Sequence, residues 1–159
     1  MRFVIQVVEH ASVHVAEQNY TAKIGQWLLI YVGIHKDDVN DYQQKIAHFV
    51  GKIRGLQLFH VDGKLQGSLE SVWWEILLIS NFTLYWENKK GNRFDFGNSA
   101  WFADAEVIYN TLIEQLRVPM KSTMDENILS EISVKTGIFG AYMEVDSKNG
   151  WPINLVLDI

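Results

Sequence analysis

Histidine and aspartate are the residues in this sequence that most readily suggest metal binding or acid–base chemistry. His10 and His14 are four residues apart, which is the spacing of a zinc-binding pair when both fall on one face of a helix. The residues around them alternate with period two, however, and this pattern predicts a strand. Asp37 and Asp38 precede a pattern of helical period, so we expect them to cap a helix and not to hold a metal.

Nucleophilic hydrolysis by a side chain is also unsupported by the sequence. Cysteine is absent, which excludes thiolate catalysis and cysteine-ligated metals. No serine lies in a Gly-x-Ser-x-Gly sequence, and Gly63–Lys64 lacks the upstream glycine of a phosphate-binding loop. We therefore expect no metal, no cofactor and no catalytic set of side chains.

A cluster of cations and aromatic residues suggests binding in place of catalysis. Lys89, Lys90 and Arg93 lie among the aromatic residues Tyr85, Trp86, Phe94 and Phe96. Rings that stack on bases, next to cations that contact phosphates, suit single-stranded RNA. A solvated loop whose aromatic residues pack into the core explains the same cluster equally well, so both interpretations stay open.

Composition limits the class of protein. A chain of 159 residues with 48% hydrophobic and 21% charged residues is typical of one globular domain, which we expect to span residues 1–159. No apolar run approaches the ~20 residues of a membrane span, and no signal-peptide pattern is present, so we expect a cytoplasmic protein without membrane contact. The net charge of −5 argues against broad coating of a nucleic acid, but it allows binding to one end of an RNA.

The elements that must position these residues follow from periodicity. Strand patterns cover residues 3–8, 11–15, 20–24, 27–34, 56–59 and 72–84, helical patterns cover 39–53 and 105–116, and strands at 140–145 and 153–157 form a predicted C-terminal hairpin. Residues 61–64 are typical of a turn, and residues 120–132 are ambiguous. The pattern predicts a single α+β domain, with mixed or antiparallel strands forming a curved sheet or barrel-like core and two main helices packed against it.

Two short segments resemble the motifs of the D-aminoacyl-tRNA deacylase family. Ser80–Asn81–Phe82–Thr83 resembles its Ser-Gln-x-Thr motif, and residues 149–154 (Asn149, Gly150, Trp151, Pro152, Ile153, Asn154) resemble its Asn-x-Gly-Pro-x-Thr motif. The similarity runs through nearly the whole chain in the family's order and is weakest over residues 120–132.

The resemblance implies a specific activity and assembly. The family is a homodimer that hydrolyses the ester between a D-amino acid, or glycine, and the 3′-terminal adenosine of tRNA, a step of chiral proofreading in translation quality control. No metal is required, because backbone N–H groups and the 2′-hydroxyl of the tRNA assist the reaction. By resemblance, Ser80, Phe82 and Thr83 are the catalytic residues at the adenosine and ester end. Pro152 belongs to a cis Gly-Pro element that reads chirality from across the dimer interface.

Three residues depart from the family's motifs. Asn81 replaces Gln, Trp151 replaces Gly and Asn154 replaces Thr, within a predicted substrate-binding set of Asn81, Asn149, Gly150, Trp151, Pro152 and Asn154. Glycine lets a backbone approach a ligand closely, so Trp151 must either fill part of the amino-acid pocket or turn away from it. Two functions therefore stay open. The first is a D-aminoacyl-tRNA deacylase. The second is a catalytically impaired or respecialised relative that binds tRNA 3′ ends or another acyl ester.

Overall fold

Strands make up much of this chain, and two long helices accompany them. The computed structural model describes every residue except 62–63, 68–73, 90, 122–128, 131 and 150–151. The strands are β1 (Arg2–Val8), β2 (His10–Val15), β3 (Tyr20–Ile24), β4 (Trp27–Gly33), β5 (Phe59–Val61), β6 (Lys64–Gly67), β7 (Trp74–Ser80), β8 (Glu87–Asn88), β9 (Phe94–Asp95), β10 (Met120–Lys121), β11 (Leu129–Ser130), β12 (Ile132–Thr136), β13 (Glu144–Lys148) and β14 (Asn154–Asp158). The helices are α1 (Tyr42–Gly55) and α2 (Phe102–Arg117), and 3₁₀ turns cover Ala16–Gln18, Lys36–Asn40 and Phe82–Tyr85.

A five-stranded sheet in the order β12, β7, β4, β1, β14 forms the middle of the fold. β4 pairs in parallel with β7 and antiparallel with β1, and β14 pairs antiparallel with β1 at one edge. β4 and the middle of β7, Ile76 to Ile79, are apolar and buried because both faces of the sheet are covered there. Leu28 and Leu78 face the helices, whereas Leu29 and Leu77 face the smaller sheet of β13, β2 and β3. The predicted α+β class is confirmed, although the described strands form separate sheets and no closed barrel.

The two helices cover one face of the sheet with the apolar residues that the helical period predicts. Phe49 of α1 stacks on Phe3 of β1 with 3.6 Å between ring centroids. Tyr109 of α2 is buried and donates a hydrogen bond of 2.8 Å to the Leu78 carbonyl of β7. Burying each large apolar side chain contributes about 1.5–3 kcal/mol, so this layer supplies much of the stability. None of the described helices is long and apolar enough to cross a membrane.

Asp38 lies buried where the start of β1 meets the start of α1. Its carboxylate accepts hydrogen bonds from the Met1 amino group at 2.8 Å, from Lys45 Nζ at 2.6 Å and from the His35 N–H at 2.7 Å. The His35 ring in turn accepts from the Asp37 N–H, which completes a capping box. Asp38 therefore caps the 3₁₀ turn Lys36–Asn40 and not the predicted long helix, whose N-cap residue Asp41 makes no side-chain cap hydrogen bond to the described residues.

Several predicted strands are wrong in detail. The strand predicted at 56–59 forms at Phe59–Val61, and the strand predicted at 140–145 forms at Glu144–Lys148. The strand predicted to reach Leu84 ends at Ser80, because the Asn81 side chain caps a 3₁₀ turn there. The predicted C-terminal hairpin does not form, since β13 pairs with β2 and β14 pairs with β1 in a different sheet. β1 and β2 already belong to separate sheets, and each C-terminal strand completes one of them. Much of the predicted turn at 61–64 and of the ambiguous segment 120–132 lies outside the described residues.

Candidate active site at the ends of two parallel strands

The parallel strands β4 and β7 end side by side, and the chain turns back after β7. The Asn81 N–H donates to the Val32 carbonyl at 2.8 Å, and the 3₁₀ turn then packs on Gly33. A Cβ on Gly33 would lie 2.9 Å from the Leu84 Cβ and 3.2 Å from the Asn81 carbonyl oxygen. Glycine at this position therefore allows the turn to lie directly on the end of β4.

The Asn81 side chain fixes the conformation of the turn that carries the first motif. Its Oδ1 accepts hydrogen bonds from the Thr83 N–H at 3.0 Å and from the Thr83 hydroxyl at 2.5 Å. Both Thr83 donors are thus directed at Asn81 and not at the space in front of the turn. The Phe82 N–H, by contrast, meets no acceptor among the described residues, so it is a backbone donor available to a ligand.

A cavity of about 710 Å³ opens at the ends of β4 and β7. The first motif (Ser80, Asn81, Phe82 and Thr83) forms one side, and residues from 96–105 and 139–145 form the others. Its size is that of a site for a small molecule or one end of a larger one. The described residues that line it include no carboxylate and no imidazole. Burial raises the pKa of Tyr31, another lining residue, so its hydroxyl stays protonated at neutral pH.

Aromatic rings surround the cavity while remaining largely exposed. Trp101 is 82% exposed and Tyr142 is 79% exposed, and Phe82 and Phe102 are both 60% exposed. Gly140 has φ of +74°, and a Cβ there would lie 2.5 Å from the Phe102 ring, so glycine allows the two walls to meet. Exposed rings at the rim of a cavity suit a ligand with flat aromatic faces, such as a nucleobase.

Sequence reasoning did not assign the walls formed by residues 96–105 and 139–145 to the site. Ser99 connects the first of these to the motif, since its hydroxyl donates to the Phe82 carbonyl at 2.9 Å. One available signal was Trp101 and Phe102, which lie outside the apolar face of the second helical pattern. Large aromatic residues that an amphipathic pattern leaves unburied indicate a binding surface.

The second motif lies across the sheet from the first, at the edge that β14 forms. Asn149 Nδ2 donates to the Val7 carbonyl at 3.1 Å, and Asn154 Oδ1 accepts from Gln6 Nε2 at 2.8 Å. Pro152 is exposed. The predictions for Gly150 and Trp151 lie outside the described residues.

The distance between the motifs follows from strand register. Asn154 pairs with Gln6, Gln6 with Leu29, and Leu29 with Leu77, three residues before Ser80. Three strand spacings across the sheet and three residues along it correspond to roughly 17 Å between the Cα atoms of Asn154 and Ser80. The structure therefore brings Ser80, Asn81, Phe82 and Thr83 together at the cavity, whereas Asn149, Pro152 and Asn154 do not line it in the same subunit.

Among the described side chains, the histidines form no alternative centre. His10 and His14 lie on strand β2, as the period-two pattern predicts, and His14 Nδ1 contacts the Thr21 hydroxyl at 3.0 Å. His10 lies 3.8 Å from an Asp146 carboxylate oxygen. Within the part of the chain that the structure describes, no group of three or more histidine and acidic side chains is placed to hold a metal ion.

Comparison with known proteins assigns this arrangement to a family. The family model described as D-Tyr-tRNA(Tyr) deacylase matches residues 4–158. The chain belongs to this family. It is 37% identical to a D-aminoacyl-tRNA deacylase of Chloroherpeton thalassium, over 99% of this chain and 95% of that protein. It is also 37% identical to a D-aminoacyl-tRNA deacylase of Bacillus velezensis, over 99% of this chain and 98% of that protein.

Solved structures agree with the family assignment. The structure of a c-Myc DNA Unwinding Element Binding Protein superposes with a TM-score of 0.80 at 34% identity, covering 100% of this chain and 99% of that one. A probable eukaryotic D-amino acid tRNA deacylase superposes with a TM-score of 0.79 at 17% identity, covering 99% of this chain and 98% of that one, and this likeness concerns the fold alone. The predicted family is confirmed, and the roles of individual site residues stay predictions.

Proposed function

We propose that this chain hydrolyses the ester bond between a D-amino acid, or glycine, and the 3′-terminal adenosine of tRNA, releasing free tRNA and the amino acid. The observation that carries the proposal is the cavity at the ends of β4 and β7, whose wall presents the family motif Ser80–Thr83. Family membership over residues 4–158 supplies the chemistry that this cavity serves. The alternative of an impaired or respecialised relative has no support in the comparisons, because the similarity to the deacylases covers residues 4–158 and nearly the whole length of the relatives.

The chemistry follows from what the cavity wall offers. Water attacks the ester carbonyl carbon, the bond to the 3′-oxygen breaks, and the tRNA 2′-hydroxyl relays the proton to the leaving 3′-oxygen. The Phe82 N–H donates to the carbonyl oxygen as it becomes an oxyanion. Fixed backbone donors in a cavity are worth about 10²–10³-fold in rate each. The protein contributes positioning and charge stabilisation, since the described lining residues supply no carboxylate and no imidazole.

A substrate panel tests the activity. Purified protein is incubated with D-tyrosyl-tRNA, glycyl-tRNA and L-tyrosyl-tRNA, and the amino acid released is measured over time. We expect release from the D-tyrosyl and glycyl substrates and none from the L-tyrosyl substrate. Absence of turnover of both the D-tyrosyl and the glycyl substrate by folded protein would overturn the proposal.

A pair of substitutions at one position tests the role of the backbone donor. Phe82→Pro removes the N–H, and proline is tolerated at the first position of a helical turn. Phe82→Ala removes the ring and keeps the N–H. We expect Phe82→Pro to lower kcat by about 10²–10³-fold beyond the loss in Phe82→Ala. Equal kcat values in the two variants would exclude this N–H as the oxyanion donor.

We further propose that the active unit is a cytoplasmic homodimer of one domain per chain, residues 1–159. The second motif lies roughly 17 Å from Ser80 within one subunit, on the edge strand β14 and the segment before it. A second copy is therefore the source of Asn149, Pro152 and Asn154 for this cavity. Isologous pairing of this kind gives two equivalent sites per dimer.

Mixed dimers test whether the motifs act across the interface. Phe82→Pro and Pro152→Ala should each be inactive alone as homodimers. After subunit exchange, each mixed dimer has one site with both motifs intact, so activity should return to about a quarter of the parent value. No recovery after exchange, verified by mass, would mean that each site uses a single chain.

A further inference from the structure

A chain of four aromatic rings leads out of the cavity along the β8–β9 hairpin. Phe82 and Phe96 line the cavity and lie edge to face, with 5.0 Å between ring centroids. Phe94 stacks against Phe96 at 6.5 Å, and Trp86 meets Phe94 edge to face at 5.4 Å. Phe94 and Trp86 do not line the cavity. These four residues, called here the aromatic track, connect the cavity to the surface outside it.

The rings of the track are exposed and not packed into the core. Phe94 is 70% exposed and Trp86 is 53% exposed. Of the two interpretations that the sequence left open for this cluster, core packing is therefore wrong for Trp86, Phe94 and Phe96, whereas Tyr85 is half-buried against His35. Contiguous apolar surface of this kind is costly to leave in water and usually marks a binding site.

The cations next to the track are of two kinds. Lys89 Nζ contacts the Glu87 and Asp95 carboxylates at 2.9 and 2.8 Å, so it neutralises the acidic residues of the hairpin. Arg93 precedes Phe94, is exposed, and makes no hydrogen bond or ion pair with the described residues. Lys36, which lines the cavity, donates to neutral acceptors, the nearer being Asn98 Oδ1 at 2.9 Å. Arg93, next to Phe94 in the sequence, and Lys36, at the cavity, thus supply positive charge beside the track.

We propose that the aromatic track binds the unpaired nucleotides that precede the terminal adenosine of the RNA substrate. This inference rests on the proposed function, which places the adenosine in the cavity. Bases stack on Trp86 and Phe94, and Arg93 contacts the phosphates between them. Single-stranded RNA suits the track better than a protein partner, because exposed rings here lie beside cations, whereas the centres of protein interfaces are depleted of charge.

Two ligands that share the aminoacyl-adenosine end, only one of which carries the preceding nucleotides, test the proposal. One is 3′-amino-3′-deoxyadenosine joined to D-tyrosine by a stable amide, and the other carries the same group at the unpaired 3′ end of an RNA hairpin. The test variant is Trp86→Ala with Phe94→Ala. The control is Val107→Ala with Val118→Ala, which removes exposed apolar side chains outside both the cavity lining and the track.

The affinities, measured by calorimetry, should separate the two ligands. We expect the double aromatic variant to bind the RNA ligand at least about fivefold more weakly, and the adenosine ligand within about twofold of the parent, because stacking on each ring adds affinity only where a base is present. The control should match the parent for both ligands.

Other results would overturn the inference. An equal loss for both ligands would mean that the substitutions distort the cavity, and no loss for either would mean that the track is not used. A change in the mass of the assembly in the aromatic variant would assign the track to contact between copies of the chain. If the parent protein binds the RNA ligand through the track but hydrolyses neither D-aminoacyl-tRNA nor glycyl-tRNA, the proposed function is wrong and this inference stands.

Discussion

The two family motifs differ in how firmly the surrounding structure holds them. The first follows a buried parallel strand, is capped by its own Asn81 side chain, and packs on Gly33 without a gap for a Cβ. The second lies at an exposed edge strand and is attached to β1 by hydrogen bonds such as Val7 N–H to the Ile153 carbonyl at 3.1 Å. In the proposed homodimer, each subunit would therefore contribute a rigid half-site and a peripheral half-site. An exposed edge segment can contact a second chain, whereas contacts within its own chain already fix the conformation of the turn.

We expect the largest effect on the free energy of unfolding from weakening the attachment of β1 and β14, the strands at the sheet edge that carries the second motif. Asp38 binds the Met1 amino group at the start of β1, and Met1 also contacts the last residue of the chain, Ile159, beyond β14. In Asp38→Asn a buried, doubly paired carboxylate is lost, and we expect about 3 kcal/mol less free energy of unfolding at pH 7. Urea denaturation measures this change. Asp41→Asn, which removes an exposed carboxylate 3.4 Å from Lys45, should cost at most about 0.5 kcal/mol.

The effect of Asp38→Asn should depend on pH in one direction. Burial alone would raise the pKa of Asp38, but hydrogen bonds from Lys45, the Met1 amino group and the His35 N–H outweigh burial and hold its pKa below the usual value of an aspartate. A carboxyl group whose pKa is lower in the folded state stabilises the fold above its usual pKa, and this contribution disappears as the pH falls through the lowered value. The difference between parent and variant should therefore be full at pH 6 and shrink below about pH 4. A constant difference down to pH 2 would contradict this assignment.

A smaller effect on stability, but a large one on activity, is expected from Gly33→Ala. The new Cβ would meet Leu84 Cβ at 2.9 Å and must displace the turn that carries the first motif. Misplacing catalytic groups by about 1 Å costs on the order of 100-fold in rate, so we expect such a loss of kcat/KM for D-tyrosyl-tRNA in a folded protein. Gly51→Ala is the matched control, because nothing lies within 4 Å of its new Cβ, and it should keep full activity. Parental activity in Gly33→Ala would show that the turn tolerates displacement.

The same contrast explains how much of the molecule the sequence could predict. The central strands and both helices follow from periodicity, because burial of apolar residues on defined faces determines them. The turn after Ser80 does not, since it depends on one hydrogen bond acceptor, Asn81 Oδ1, that no periodicity detects. The predicted C-terminal hairpin is wrong for a related reason: β13 and β14 choose partners far away in the chain, β2 and β1, over each other.

The candidate site divides in the same way. Ser80–Thr83 could be located from its resemblance to a motif, and the structure places it at the cavity. The walls around Trp101 and Tyr142 could not, because their positions depend on how α2 and the segment after β12 approach β7 in space. Contacts between segments distant in sequence leave only indirect signals, such as large aromatic residues outside an apolar face.

The smallest expected effects come from a matched pair of asparagines, one in each motif. Asn81 Oδ1 accepts two hydrogen bonds from Thr83, so Asn81→Ala removes the cap of the turn and should cost about 1 kcal/mol in the free energy of unfolding. Asn154 Oδ1 accepts a single, exposed hydrogen bond from Gln6, so Asn154→Ala should cost at most about 0.5 kcal/mol. Thermal unfolding of the two variants side by side makes the comparison. If Asn154→Ala proves the more destabilising, the edge motif is held as firmly as the turn, and the division into rigid and peripheral half-sites is wrong.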